Sequence, residues 1–566
     1  MEKLTAEQAA AAHVAVDAVS IRNGYVYWLE KRPATGRTVL VRVPTTGRHI
    51  PQPVTTDKID VGSRVHEYGG GAYWVAEDDA VFVVNDPDQR IYRLDEDGPR
   101  PITPSSGSPP THRHADLRTL PGGRLICVRE RHEADGEVVN ELVVLPADGS
   151  TVAVVVASGR DFYSFPRPDP SGNRLAFTCW DAPQMPWDGT ELWLADLDAD
   201  GSLNAARRVA GGPDESLFQP EWSPDGQLYV MADRTGWWNL YRLQDDDEFQ
   251  PIFPIDAECG EPQWEFGYST YAFLDRSRIL VLCRDRGDDR LVLVDVSSGR
   301  PEQLPTEATS IKAYLAADDG HIAYIASTPS RLPAVVLRYA AGANERRVSD
   351  VPSVPRPGNG RGPERHWVPA ERRFPVPIWL HLPPVPPESP PPFIVRPHAG
   401  PTSQTRPRPD PETQFFISRG FAVADVDYRG STGYGRVYRE ALTELWGIAD
   451  AEDCISVARW LAGTGHADPA RTVISGASAG GFTALRALIL SDAFVAGSCV
   501  SGIVDLLEFR RCTHKFQRHE LDRLVGPLPE SLSSYESRSP LNLVEYVDRP
   551  VFLAHGLASM FRRGRC

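Results

Sequence analysis

Lysine is nearly missing from this 566-residue chain. It stands only at positions 3, 31, 58, 312 and 515, so arginine supplies almost all of the 60 basic side chains. That bias points to a GC-rich coding sequence. Against 76 acidic residues the net charge is −16, which argues against a nucleic-acid or anionic-membrane surface. Long apolar runs are also missing: nothing approaches the roughly 18 residues of a membrane span. The opening MEKLTAEQAAAAHVAVDAV lacks a basic region followed by an apolar core, so no secretory signal is read. The eight cysteines, at 127, 179, 259, 283, 454, 499, 512 and 566, include no C-x-x-C and no histidine at ligand spacing. This speaks against a metal site and favours free thiols in a reducing cytoplasm. No cofactor is called for.

What is present is, first, a repeat. The unit is an apolar strand, a D/N-G turn, a second strand and a third of the type L-W/Y-x-x-D/R-L. It is clearest in DPSGNRLAFTCWD…TELWLADLD (169–198), SPDGQLYVMADRTGWWNLYRL (223–243) and LDRSRILVLCRDRGDDRLVLVDV (274–296). Weaker copies bring the number to seven between about Val14 and Asp350, a period of roughly 48 residues. Four-stranded units of that period predict a seven-bladed β-propeller over residues 1–350. Trp180, Trp187, Trp193, Trp222, Trp237 and Trp238 are expected to pack between blades.

Residues 351–365, VPSVPRPGNGRGPER, read as an interdomain linker. From 366 to 566 strand-like runs (PVPIWLHL, PFIVRP, FAVADVDY, RTVISG, PVFLAHG) alternate with helical ones. That alternation predicts an α/β domain with a mostly parallel sheet. Within it, Thr472–Ser475 reads as a buried strand and Phe482–Leu490 as an apolar helix, and Gly476-Ala477-Ser478-Ala479-Gly480 joins them as G-x-S-x-G. Strand, sharp turn and helix are the context in which this motif presents a nucleophilic serine, Ser478. His398-Ala399-Gly400-Pro401 follows another strand, where an α/β-hydrolase lays a loop beside its oxyanion hole.

These segments together resemble the prolyl oligopeptidase family of serine peptidases, nearest its bacterial dipeptidyl aminopeptidase/acylaminoacyl peptidase branch. RVHEYGGGAYW (64–74), MPWDGTELW (185–193) and ADRTGWWNLY (232–241) carry the likeness in the repeats. HAGPTSQ (398–404), YRGSTGYGR (428–436), WGIADAEDC (446–454), GASAGG (476–481) and THKF…LVGPLPE (513–530) carry it beyond. The resemblance implies an α/β-hydrolase domain capped by the propeller and acting on short peptides. It implies Ser478 as nucleophile, the backbone N–H of Ala479 as one oxyanion donor and the Tyr434 hydroxyl as the second. No metal, nucleic acid or membrane enters this reading.

The family pattern breaks near the end. The family's acid sits three residues past the glycine of an H-G-x-x-D segment, and His555-Gly556-Leu557-Ala558-Ser559 places a serine there. After Ser478 the only histidines are His514, His519 and His555, and each is read as structural. The Arg-rich ending ASMFRRGRC resembles a frameshift, so the hydrolase domain is expected to be truncated and the chain inactive for want of the triad Asp and His. A non-catalytic peptide-binding propeller with a pseudo-hydrolase, or an esterase on the same fold, stand as alternatives.

Overall fold

The computed structural model describes residues 3–556 except 246, 329, 343, 352–361, 371–373 and 386. It divides into two compact units, Ala12–Ser327 with Pro333–Pro352, and Met1–Ala11 with Thr328–Leu332 and Ser353–Cys566.

The first unit is a propeller of seven four-stranded antiparallel sheets, each built from one continuous stretch of chain. Each D/N-G turn read in the sequence joins the first strand of a blade to its second, because glycine supplies the left-handed backbone such hairpins need. Gly24, Gly172, Gly226 and Gly320 stand there at φ between 71° and 80°. The first strands also carry a feature the sequence does not announce. Ala18, Asp116, Phe165 and Gln219 lie near φ 50°, and the pairing slips beside each, for instance between Ser164 and Arg167. Bulges of this kind bend a strand and increase its twist. The seven first strands line one cavity of about 1790 Å³.

Apolar cores lie between neighbouring blades. Val16, Val26, Trp28 and Val41 of the first blade share one with Tyr314, Ile325 and Leu337 of the seventh. Lys312 of the seventh blade adds a 2.7 Å ion pair to Asp17 of the first. The tryptophans were expected between blades, but Trp180 stacks on Phe162 and Trp193 on Phe177 as facing pairs within the fourth blade; Trp187 and Trp238 are buried.

The second unit holds a seven-stranded sheet of order β1-β2-β4-β3-β5-β6-β7. Its strands are β1 (Glu364–Val368), β2 (Val376–His381), β3 (Phe393–Pro397), β4 (Ala422–Val426), β5 (Thr472–Ala477), β6 (Ala496–Val500) and β7 (Val551–Ala554). β2 runs antiparallel to both its neighbours, β1 and β4, and the remaining pairs are parallel. Helices α1 (Pro411–Ile417), α2 (Ala449–Gly463) and α3 (Ala479–Leu490) follow β3, β4 and β5. Val395, Ala424 and Ile474 from the sheet pack with Cys454, Phe482 and Trp446 in one core. The short helix Ala6–Ala10 belongs to this unit, not to the propeller in which residues 1–350 were expected. Among the described residues no helix is long and apolar enough to cross a membrane. Among the described residues six cysteines are free and buried, but Cys512 is disulfide-bonded, which departs from a reading of eight thiols.

Candidate active site

Ser478 stands between β5 and α3 with φ 52° and ψ −123°, a backbone that a residue other than glycine adopts only under strain. The turn persists because its surroundings hold it. The Ser478 N–H donates to Val500 of β6, and its carbonyl accepts from Gly481 and Phe482, which start the helix. The flanking glycines are required by contact: a Cβ on Gly476 would lie 2.1 Å from the Gly480 carbonyl, and one on Gly480 2.4 Å from the Pro397 carbonyl. Ser478 is half-buried while Ala479 is buried. Ala479 opens α3, so its N–H has no partner within the helix and points out of the helix end beside the serine.

The second contact of Gly480 identifies the neighbouring loop. Its would-be Cβ also meets the His398 carbonyl at 2.7 Å, so the chain leaving β3 at His398-Ala399-Gly400 is pressed against the elbow. His398 is fixed within that loop: its Nε2 lies 2.7 Å from Ser431 Oγ, and its ring stacks 4.4 Å over Tyr428. The Tyr428 hydroxyl donates back to the His398 carbonyl. Burial pushes the His398 imidazole down to about 4, so it is neutral at physiological pH.

Tyr434, expected as the second oxyanion donor, has its hydroxyl engaged by an acid. Its hydroxyl donates to Asp427 Oδ2 at 2.5 Å, and an approach to an oxyanion would break that bond. Asp427 follows β4, is wholly buried, and also accepts at Oδ1 from the backbone and the hydroxyl of Thr405. One carboxylate therefore ties the loop after β3 to the Gly-rich loop after β4. Burial pushes it up to about 6, against the lowering effect of these hydrogen bonds.

Two further buried acids brace α2 against the elbow. Asp450 accepts from Thr483 Oγ1 of α3 at 2.6 Å and from the Gly447 N–H at 2.7 Å, and burial raises it to about 6. Asp453 takes the guanidinium and the backbone N–H of Arg429. The WGIADAEDC and YRGSTGYGR segments thus hold the site's helix and loop. Asp427, Asp450 and Asp453 escaped sequence reasoning, since an acid at a strand end or in a helix's first turn reads as ordinary polarity.

The three histidines after Ser478 lie elsewhere. His514 stands just before the helix Lys515–Arg518 without a side-chain capping bond, His519 pairs with Asp522 at 2.8 Å, and His555 is exposed just past β7. Among the described residues no side chain hydrogen-bonds the Ser478 hydroxyl. Ser559, read in the place of the triad acid, lies outside the described residues, as does most of the 351–365 linker.

Residues 407–558 match the prolyl oligopeptidase family. A Mycobacterium tuberculosis puromycin-hydrolyzing peptidase superposes with a TM-score of 0.92 at 35% identity, over 98% of this chain and 87% of that one. A puromycin hydrolase gives 0.90 at 32%, over 97% and 86%. Dipeptidyl aminopeptidase BIII of Pseudoxanthomonas mexicana is 25% identical over 175 residues, 30% of this chain and 25% of the relative. Such curated relatives are thus matched over about a quarter of their length. Propeller, hydrolase sheet, strained serine elbow and full-length likeness agree: the chain belongs to the prolyl oligopeptidase family.

Proposed function

We propose that this protein is a serine-type peptidase, an oligopeptidase or aminopeptidase that cleaves short peptides through an acyl-enzyme on Ser478. The observation that carries the reading is the left-handed Ser478 between β5 and α3, with the His398–Gly400 loop packed against Gly480. A tetrahedral oxyanion beside Ser478 would meet two backbone donors: the Ala479 N–H at the head of α3 and the Ala399 N–H in the loop between β3 and α1, the two positions an α/β-hydrolase uses. Tyr434, engaged by Asp427, positions that loop and is not assigned as a donor.

The serine hydroxyl is a weak nucleophile until a base takes its proton. No described histidine is bonded to it, and our reading is that the chain as given is inactive or nearly so. The same observation supports a second reading, capture of peptides without cleavage. The names of the relatives suggest substrates: puromycin, dipeptides from a free amino terminus, and acylated amino acids. Six of the described cysteines are free thiols, which supports a reducing compartment, the cytoplasm, against the single disulfide at Cys512.

The test is hydrolysis of puromycin and of chromogenic aminoacyl amides, together with labelling by a fluorophosphonate probe, in the wild type and Ser478→Ala. Weak labelling or turnover that disappears in Ser478→Ala supports the peptidase. Rapid turnover would overturn the reading that this chain lacks a base for Ser478. Peptide binding with no reaction in either protein would favour capture.

A further inference from the structure

We propose that Cys259 and Cys283 form a modification site of the propeller, a cross-strand dithiol that a two-electron oxidant closes to a disulfide. The two sulfurs lie 3.3 Å apart, and both residues are free and buried. Chain geometry places them. Cys283 lies on the strand Arg278–Asp285 of the sixth blade, and Cys259 in the long connection from the fifth blade. Glu258 and Arg284 form an antiparallel bridge in which each N–H donates to the other's carbonyl, at 3.0 and 2.7 Å. The next facing pair, Cys259 and Cys283, is therefore the non-hydrogen-bonded one. There facing residues approach most closely, with Cα atoms about 4.5 Å apart, inside the range of about 4.4–6.8 Å that a disulfide spans. The Cys259 N–H turns the other way, to the Trp238 carbonyl of the fifth blade, and leaves its side chain facing Cys283.

The pair sits at a junction. Trp238 donates to Glu258 Oε2 and Asn239 to the Ala257 carbonyl. The same connection then runs on to Phe266, whose N–H donates to Gly69 of the second blade's leading loop. A bond at 259–283 would fasten to the sixth blade the segment that links the fifth blade to the second. The adjacent Cys283 sulfur and then burial push the Cys259 thiol well up, so closure awaits an opening that admits the oxidant. With a peroxide the step balances: one thiolate attacks a peroxide oxygen to give a sulfenic acid and water or hydroxide, and the second thiol displaces water from it as the S–S bond forms. A disulfide oxidant acts instead by exchange through a mixed disulfide and releases two thiols.

The full chain is incubated with hydrogen peroxide or with oxidised glutathione, denatured, alkylated and digested with trypsin. A linked pair of peptides, 243–276 and 279–284, is expected, reversed by dithiothreitol and absent from Cys283→Ser. The oxidised protein should unfold a few degrees higher than the reduced one, because the bond closes a loop in the unfolded chain. Both cysteines recovered as alkylated thiols after oxidant, or linked mainly to other cysteines, would overturn the assignment. Peptide mapping of the wild type decides this even if the serine variant fails to fold.

Discussion

The Tyr434 hydroxyl donates to Oδ2 of Asp427 at 2.5 Å, and the opposite oxygen of that carboxylate holds Thr405. Tyrosine and acid together tether the loop from β3 that rests on the serine elbow. Tyr434→Phe is therefore expected to change the rate of fluorophosphonate labelling by less than about tenfold and to cost about 1–2 kcal/mol of stability. Ala399→Pro, which deletes a backbone N–H, should slow labelling by about 10²–10³. A Tyr434→Phe loss as large as the Ala399→Pro loss would return the hydroxyl to the oxyanion.

The buried Asp450 gives the hydrolase unit a characteristic pH response. Its native pKa, raised by burial to about 6, lies above that of an unfolded aspartate, so the folded state binds more protons between about pH 4 and 6. Stability from this group is full at pH 4, falls as pH rises to 6, and is flat above. Relative to the wild type, Asp450→Asn should gain on the order of 3 kcal/mol across that window, read by denaturant unfolding at several pH values. Asp425 acts in the opposite sense. Although burial opposes it, Arg396 and His381 hold its carboxyl far below the usual range, so its stabilisation is lost only as pH falls below about 4.

Arg429 and Asp453 form a buried pair, whereas Arg511 and Glu508 pair where the arginine is 60% exposed. Asp453→Asn leaves the buried guanidinium only the partly exposed Glu452, 3.2 Å away, as counter-charge and should cost about 3 kcal/mol. Glu508→Gln should cost under about 1 kcal/mol. Comparable losses in the two variants would contradict the burial argument.

Gly480→Ala places a methyl group against the Pro397 and His398 carbonyls, where neither backbone can give way cheaply. A loss of about 1–3 kcal/mol and of probe labelling is expected, followed by calorimetry and gel fluorescence. A stable, normally labelled variant would mean that the loop after β3 does not touch the elbow.

Limited proteolysis is expected to cut first within 351–365 and to leave a resistant N-terminal fragment, since blades contact chiefly their neighbours. A first cut inside the fourth to sixth blades would count against that boundary.

The seven blades were legible because each unit repeats an alternating pattern and a glycine turn, a signal that accumulates over copies. The elbow was legible because Gly476, Ser478 and Gly480 have few other uses in that context. What escaped depends on distant pairings. Asp427 meets Thr405 and Tyr434 only through the order of β3 and β4, and the bulges at Asp116 and Gln219 leave no mark in residue type. The partner of Tyr434 escaped for the same reason: its loop carries a recognisable motif, but the motif does not say which acid the hydroxyl will meet.

Each propeller sheet takes its four strands from one continuous segment, so among the described residues no strand crosses from the seventh blade to the first. The ring is sealed there by Val16, Trp28, Tyr314 and Leu337 and by the Lys312–Asp17 pair, side-chain contacts like those between the third and fourth or the sixth and seventh blades. Topologically the circle has no privileged beginning. The propeller should therefore accept new termini in any connection between blades, once its present ends are joined.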